Sequence, residues 1–233
     1  MNQKQRLSKE INKMRNWLKK NYKHYLCLIT SIIILAIVNV LFNNSNFGSD
    51  SIFCLNQGVA KALGIKLGYA NLMINGLFLV IMLIINRKSI GVGTILMIAF
   101  LGVLINLVLK INIIPNLASI ELPKNFEVVL QITYILLALA LGGFAISLYI
   151  YINRGLSPFE GVTVKLSQVT KIPFWVVKII TDVIFFVIGY LLGGVIGVGS
   201  IIAALLYGPS ISLFGKIWKK FDFLKENKNE KTK

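Results

Sequence analysis

The chain has 233 residues; 56% are hydrophobic, only 15% are charged, and the net charge is +16. A soluble domain carries about 25% charged residues, so this composition excludes an ordinary water-soluble globule and points to a polytopic membrane protein. The basic residues crowd beside long apolar runs, where lipid headgroups are nearer anions than nucleic acid, and no nucleic-acid role is expected.

Residues 1–24 hold eight Lys/Arg and one acid, and Leu7, Ile11, Met14, Leu18 and Tyr22 recur at helical spacing beside Trp17. This predicts a basic amphipathic helix on the anionic face of a membrane. It is too charged for the apolar core of a signal peptide. The first span follows over 25–42. The polar stretch 43–68 contains Gly48-Ser49-Asp50-Ser51, where Asp50 or Ser51 can cap a short helix that Gly64 can end. Spans two and three, 69–85 and 90–109, are separated only by the Asn86-Arg87-Lys88 turn and must form a helical hairpin. Residues 111–127, with Pro115, Pro123, Glu121 and Glu127, form a connector outside the membrane.

The fourth span covers 128–152 and is long enough to tilt. In Gly155-Leu156-Ser157-Pro158-Phe159-Glu160, Ser157 reads as an N-cap, Pro158 as the first helical residue and Glu160 as the closing member of a capping box. A short helix should run from there to about Gln168. Spans five and six cover 172–192 and 195–214, joined at Gly193-Gly194. The basic tail 216–233 carries Ile217, Trp218, Phe221 and Leu224 as an interfacial anchor.

The chain repeats itself. Ile90-Gly91-Val92-Gly93-Thr94 recurs as Ile196-Gly197-Val198-Gly199-Ser200, 106 residues later, and 10 of the 22 aligned pairs from Ile90 to Ile111 are identical. Domain organisation follows: a basic helix (1–24), a first three-span repeat (25–110), the connector (111–127), a second three-span repeat (128–215) and the tail (216–233). With the N-terminus inside, 20 of the 25 basic residues fall on the cytoplasmic side, as the positive-inside rule requires. Three spans per repeat invert the second copy, predicting an all-α fold of six transmembrane helices in two inverted repeats, each with a short helix between its first two spans. Arg87 and Lys88 align with Gly193 and Gly194, so the basic hairpin turn has lost its charge on the opposite face.

The motifs Gly155-Leu156-Ser157-Pro158-Phe159, Leu191-Leu192-Gly193-Gly194-Val195-Ile196-Gly197-Val198-Gly199-Ser200 and Leu206-Tyr207-Gly208-Pro209, in this order, resemble the YitT/YczE-type bacterial integral membrane proteins. The likeness runs roughly from Leu26 to Lys216 and is strongest after Arg154. The first half resembles the same pattern more weakly, with Asn75 where such proteins often place an asparagine. The resemblance implies a six-span bacterial inner-membrane protein of largely unassigned biochemistry, and it carries over no catalytic residue. In such proteins the fifth span is mostly uncharged, so Lys178 and Asp182 depart from the pattern.

Those two residues are the sharpest chemical feature. Four apart, they share one helix face, and Asp182 lies about 15 Å into its span at ~1.5 Å per residue. An ionisable group at that depth costs about 2.5–3.5 kcal/mol on insertion scales and usually faces protein or water. Asp182 and Lys178 therefore form a candidate substrate or proton-coupling pair, or a self-neutralising packing pair. With the 106-residue offset, Asn75 and Gly76 align with Thr181 and Asp182, which adds Asn75, Asn71 and Thr181 to the candidates. Asn39 and Asn106 read as interhelical hydrogen bonders. The capped loops at Asp50/Ser51 and Ser157/Glu160 present helix N-termini that favour anions, and they line a substrate path if the short helices re-enter the bilayer.

Gly91, Gly93, Gly197 and Gly199 follow no strand and are read as close-packing positions rather than a nucleotide loop. Cys27, Cys54 and the lone His24 give no disulfide framework and no metal signature; no cofactor is expected. No nucleophile–base pair or paired carboxylate appears, so enzymatic activity is not expected. Two functions remain: a small secondary transporter or exporter taking a small-molecule substrate, or a non-transporting regulator or scaffold acting through a protein partner. In either, the basic termini engage anionic lipid in a bacterial cell membrane. Oligomeric state and substrate are not legible.

Overall fold

Long apolar stretches without internal proline give long helices. In the computed structural model, residues 3–121 and 123–221 are described, with side chains from Tyr22 onward except Ala118 and Phe221. The first helix, α1 (Gln3–Ser45), runs unbroken from the basic segment into the first span. The side chains of Leu7, Ile11, Met14 and Leu18, and the anchor residue Leu224, lie outside the described set.

The chain continues as α2 (Ser51–Leu63), α3 (Leu67–Ile85), α4 (Val92–Ile111), α5 (Lys124–Ile152), α6 (Pro158–Thr170), α7 (Phe174–Leu191) and α8 (Val198–Phe221), and the described residues contain no strand. Six of these, α1, α3, α4, α5, α7 and α8, are long and apolar enough to cross a membrane. Their bounds move the expected spans by a few residues for local reasons. Pro173 offers no N–H for a helix interior, so α7 begins after it. Lys124 and Glu127, expected in the connector, form the first turn of α5 after Pro123. Pro209 lies inside α8.

At the centre, α1 packs on α5, α4 rests on α1 and α8 on α5. The most apolar windows of α1 and α5 are 50% and 61% buried, against 28–39% for the other four spans. Those outer helices present Leu77, Ile84, Val103, Val187 and Leu191 outward, the apolar exterior that lipid requires. The short helices insert between the outer ones: α2 packs on α7 and α3, and α6 on α3 and α7.

Both short helices start buried and end exposed. In α2, Ser51, Phe53, Cys54 and Leu55 are buried while the last residues, 61–63, are exposed; in α6, residues 158–163 are buried while 168–170 are exposed. Their N-terminal ends thus penetrate the helix assembly. Glycine makes the entry possible. Gly48 and Gly155 adopt φ +114° and +118°, a region that L side chains avoid. A Cβ at Gly48 would meet Ser200 Oγ at 2.6 Å, and one at Gly155 would meet the Gly91 nitrogen at 2.7 Å. Each turn is pinned by the glycine motif of the other half of the chain. Gly93 N–H donates to Arg154 O and Gly199 N–H to Phe47 O, both at 2.9 Å. The Thr94 hydroxyl donates to Leu156 O at 2.7 Å, and the Ser200 hydroxyl accepts from Ser49 N–H at 3.0 Å. The repeated glycines thus do pack closely, but against the turns that launch the short helices.

Helix boundaries correct the repeat register. Asn46 and Asn153, both with positive φ, close α1 and α5, and Gly64 and Lys171, also with positive φ, close α2 and α6. Each pair is 107 residues apart. The offset of 106 holds only from the ends of α3 and α7 onward, because α3 has 19 residues and α7 has 18. Counted from the first residues of α3 and α7, Lys178 and Asp182 therefore correspond to Asn71 and Asn75, not to Leu72 and Gly76.

Candidate functional site at the centre of the helix assembly

A cavity of about 60 Å³ lies where all eight helices meet. The residues that reach it include Asn39 from α1, Asp50 at the start of α2, Asn71 and Asn75 from α3, Ser157 and Glu160 at the start of α6, Lys178 from α7 and Tyr207 from α8. The remaining lining is apolar and comes mainly from α1, α4 and α5. Six segments that are distant in the chain place polar groups here, and their outward faces are committed to apolar residues.

On α7, Lys178 and Asp182 are 3% and 2% exposed and pair at 2.5 Å between Nζ and Oδ1. The Ser51 hydroxyl donates to the same Asp182 oxygen at 2.5 Å. Removing such a pair from water is costly, and extra hydrogen bonds are what make it tolerable. Lys178 Nζ also lies 5.0 Å from the Phe159 ring centroid and 5.6 Å from that of Tyr207, within the range of cation–π attraction. On α3, Asn75 donates to the backbone and side-chain oxygens of Asn71 at 2.9 and 3.0 Å. Both bonds lie within one helix.

Asp50 is the N-cap of α2: its Oδ1 accepts the Phe53 N–H at 2.6 Å. Ser51, the alternative cap, is instead the first helical residue and serves Asp182. At α6 the expected positions hold, with Ser157 as N-cap and Pro158 following, but the capping box does not form. Ser157 Oγ is buried without a hydrogen-bond partner, and Glu160, 9% exposed, lines the cavity. The Glu160 carboxyl accepts from its own backbone N–H at the start of α6 instead of from that of Ser157. Asp50 and Glu160 stand in the connecting segments, outside the six spans. Burial pushes both carboxyls up, to about 6 for Asp50 and about 7 for Glu160, while the Lys178 ammonium opposes the rise.

The site thus gathers Asn71, Asn75, Asp50, Ser157, Glu160 and Lys178 at one cavity, with Asp182 and Ser51 bonded behind Lys178. Thr181 is not part of it. Its hydroxyl donates to Val177 O and Lys178 O on its own helix. Asn106 accepts from Gly68 N–H at 3.1 Å across the α3–α4 contact, as an interhelical bonder should. Asn39 differs: it reaches the cavity, and its amide donates to Leu35 O of its own helix at 2.7 Å. Phe159 and Tyr207 were legible only as motif residues. An aromatic ring inside an apolar span carries no signal of the cation it faces. Among the described residues no group of three or more His, Cys, Asp or Glu could hold a metal ion.

No solved structure matches this chain. An uncharacterized protein of Haemophilus influenzae (strain ATCC 51907 / DSM 11121 / KW20 / Rd) is 25% identical over 193 residues, spanning 83% of this chain and 84% of its own length. A family model, described as a family of unknown function and designated DUF6198, matches residues 22–216. That description does not carry the YitT/YczE name. The match reaches part or all of each of the eight helices and includes every residue of the cavity, and the chain belongs to this DUF6198 family.

Proposed function

We propose that this protein is a small secondary transporter or exporter of a bacterial cell membrane that binds a small molecule at the central cavity. The observation that carries this reading is the cavity reached by charged and polar side chains, with its Lys178–Asp182 pair, inside an assembly of six apolar helices. Ionisable groups at such depth mark substrate and ion pathways. The likeness to YitT/YczE-type proteins and the bacterial relative fit this setting.

In this reading the two three-span halves are inverted copies that rock about the cavity and expose it to each side in turn. Support comes from reciprocal packing: α2 of the first half sits on α7 of the second, and α6 of the second on α3 of the first. The turns before α2 and α6 are likewise each held by the other half's glycine motif. The helices α2 and α6 act as re-entrant elements with their buried N-terminal ends at the cavity. Asp182 carries the coupling proton, and Lys178 is the group that pairs with it when the proton leaves. Both termini are cytoplasmic, where their basic residues meet anionic headgroups. No catalytic step is assigned.

The decisive experiment is Asp182→Asn in a strain lacking the chromosomal copy, scored for any phenotype that the wild-type gene restores. The variant keeps the shape of the side chain and loses its charge. Loss of complementation at normal expression is expected. Full complementation would sink the proton-coupled transporter and favour a regulator or scaffold acting through a partner. Reporter fusions at Lys88 and Gly193 are expected on opposite sides of the membrane; the same side for both would end the inverted arrangement.

A further inference from the structure

We propose that the cavity takes a small organic cation, an ammonium or guanidinium group, and that Lys178 is a tethered occupant of the same subsite. The proposal names a substrate class for the transport reading above, and it rests on that reading for what binding accomplishes. Three observations point to the class. First, Asp50 and Glu160 line the cavity with Lys178 and are attracted to its ammonium, and Asp182 pairs with that ammonium directly, so acids outnumber bases three to one. Second, the Lys178 ammonium already sits over the rings of Phe159 and Tyr207 at 5.0 and 5.6 Å, so this lining accepts a cation through aromatic faces as well as charge. Third, Ser157 Oγ is buried on a residue 3% exposed, lines the cavity and has no hydrogen-bond partner.

An unpaired buried hydroxyl is an acceptor for an N–H donor. Among the described residues the acids do not converge as metal ligands do. A planar or trigonal array of N–H donors can instead reach separate carboxyls and the serine together. The volume of about 60 Å³ limits the ligand to a few heavy atoms while Lys178 is in place. The lysine stem is long and flexible, so withdrawal of its ammonium from Asp182 enlarges the space and leaves the carboxylate to the incoming cation. Ligand and Lys178 therefore compete for one counter-charge.

The test uses the full-length protein, purified in detergent and titrated with guanidinium chloride at low millimolar concentration, with sodium chloride, sodium propionate and propanol as comparisons. Binding is read from thermal stability. Saturable guanidinium binding is expected, weakened at least tenfold in Glu160→Gln. Lys178→Ala is expected to bind n-propylammonium, the missing side-chain fragment, at least tenfold more tightly than wild type. Should Lys178→Ala not fold, the wild-type and Glu160→Gln titrations decide. Absence of saturable guanidinium binding, or equal stabilisation by propionate or propanol, overturns the proposal. Guanidinium binding without proton-driven guanidinium flux into proteoliposomes overturns the transport reading and leaves the cation site standing. Proton-driven flux of an anion or neutral solute without cation binding does the reverse.

Discussion

Helices α3 and α7 meet the same cavity with polar side chains at the same spacing, yet by opposite means. On α3, Asn71 and Asn75 close an amide hydrogen bond within one helix. On α7, Lys178 and Asp182 form an ion pair that draws in Ser51 from α2 and the rings of α6 and α8. A neutral pair can be satisfied locally. A charged pair in an apolar assembly needs partners from elsewhere, because removing two charges from water costs several kcal/mol per ion. The helix with the ion pair therefore organises the site, and the helix with amides lines it.

The strongest way to break the comparison is Lys178→Met, which leaves the Asp182 carboxylate buried without its cation. A loss of about 3–5 kcal/mol is expected, seen as a large fall in melting temperature or in yield of folded protein. The double variant Lys178→Asn with Asp182→Asn gives α7 the chemistry of α3. Its stability should return to within about 1.5 kcal/mol of wild type, since replacing both members of a buried pair is often neutral, while proton-coupled activity is lost. A double variant as unstable as Lys178→Met would show that the α7 environment, not the unpaired charge, sets the cost.

A second pair of expectations concerns the entry turns and α3. Gly155→Ala forces a side chain into a disfavoured φ and against Gly91, at a cost of about 1–3 kcal/mol, and Gly48→Ala should cost a similar amount against Ser200. Matched losses in melting temperature would support equivalent roles for the two turns; a neutral result at one would separate them. Asn75→Leu strands the polar groups of Asn71 and should cost about 1–3 kcal/mol, less than breaking the α7 pair.

The last expectation is a pH dependence. Asp50 and Glu160 hold protons in the folded protein at pH values where the unfolded chain has released them. The folded state then binds more protons, so stability falls as pH rises from about 4 to about 7. A melting-temperature series against pH checks this, and Glu160→Gln should flatten its upper part because Glu160 titrates higher. Asp50→Asn should flatten the lower part while keeping the cap on Phe53, because asparagine caps as well as aspartate.

Much of the fold was legible in the sequence because membrane-spanning helices are written in contiguous composition. The six apolar stretches, the Gly64 stop and the Pro158 start each follow from local backbone chemistry. The Lys178–Asp182 pair was legible as well, since two charges four residues apart in an apolar span have few alternatives. The register of the repeat was not. The glycine motifs align at 106 residues, but α3 is one residue longer than α7, so the ungapped comparison paired Asp182 with Gly76 and drew in Thr181. The capping box at Ser157 also did not form: the Ser157 hydroxyl makes no hydrogen bond to the helix end, and the Glu160 carboxyl accepts from its own backbone N–H while it lines the cavity.

By itself, the sequence determined that the chain makes apolar helices in a fixed order, where each short helix begins, and that two charges are carried inside a span. These are properties of near neighbours, set by hydropathy, proline, glycine and the spacing of residues along one helix. Only the tertiary structure decided that Asp50, Glu160, Ser157, Asn71, Asn75 and Tyr207 share one cavity with Lys178, and that each glycine motif clamps the turn of the opposite half. Those meetings depend on how eight helices cross, and a helix records in its own residues which face is polar but not which partner that face will meet.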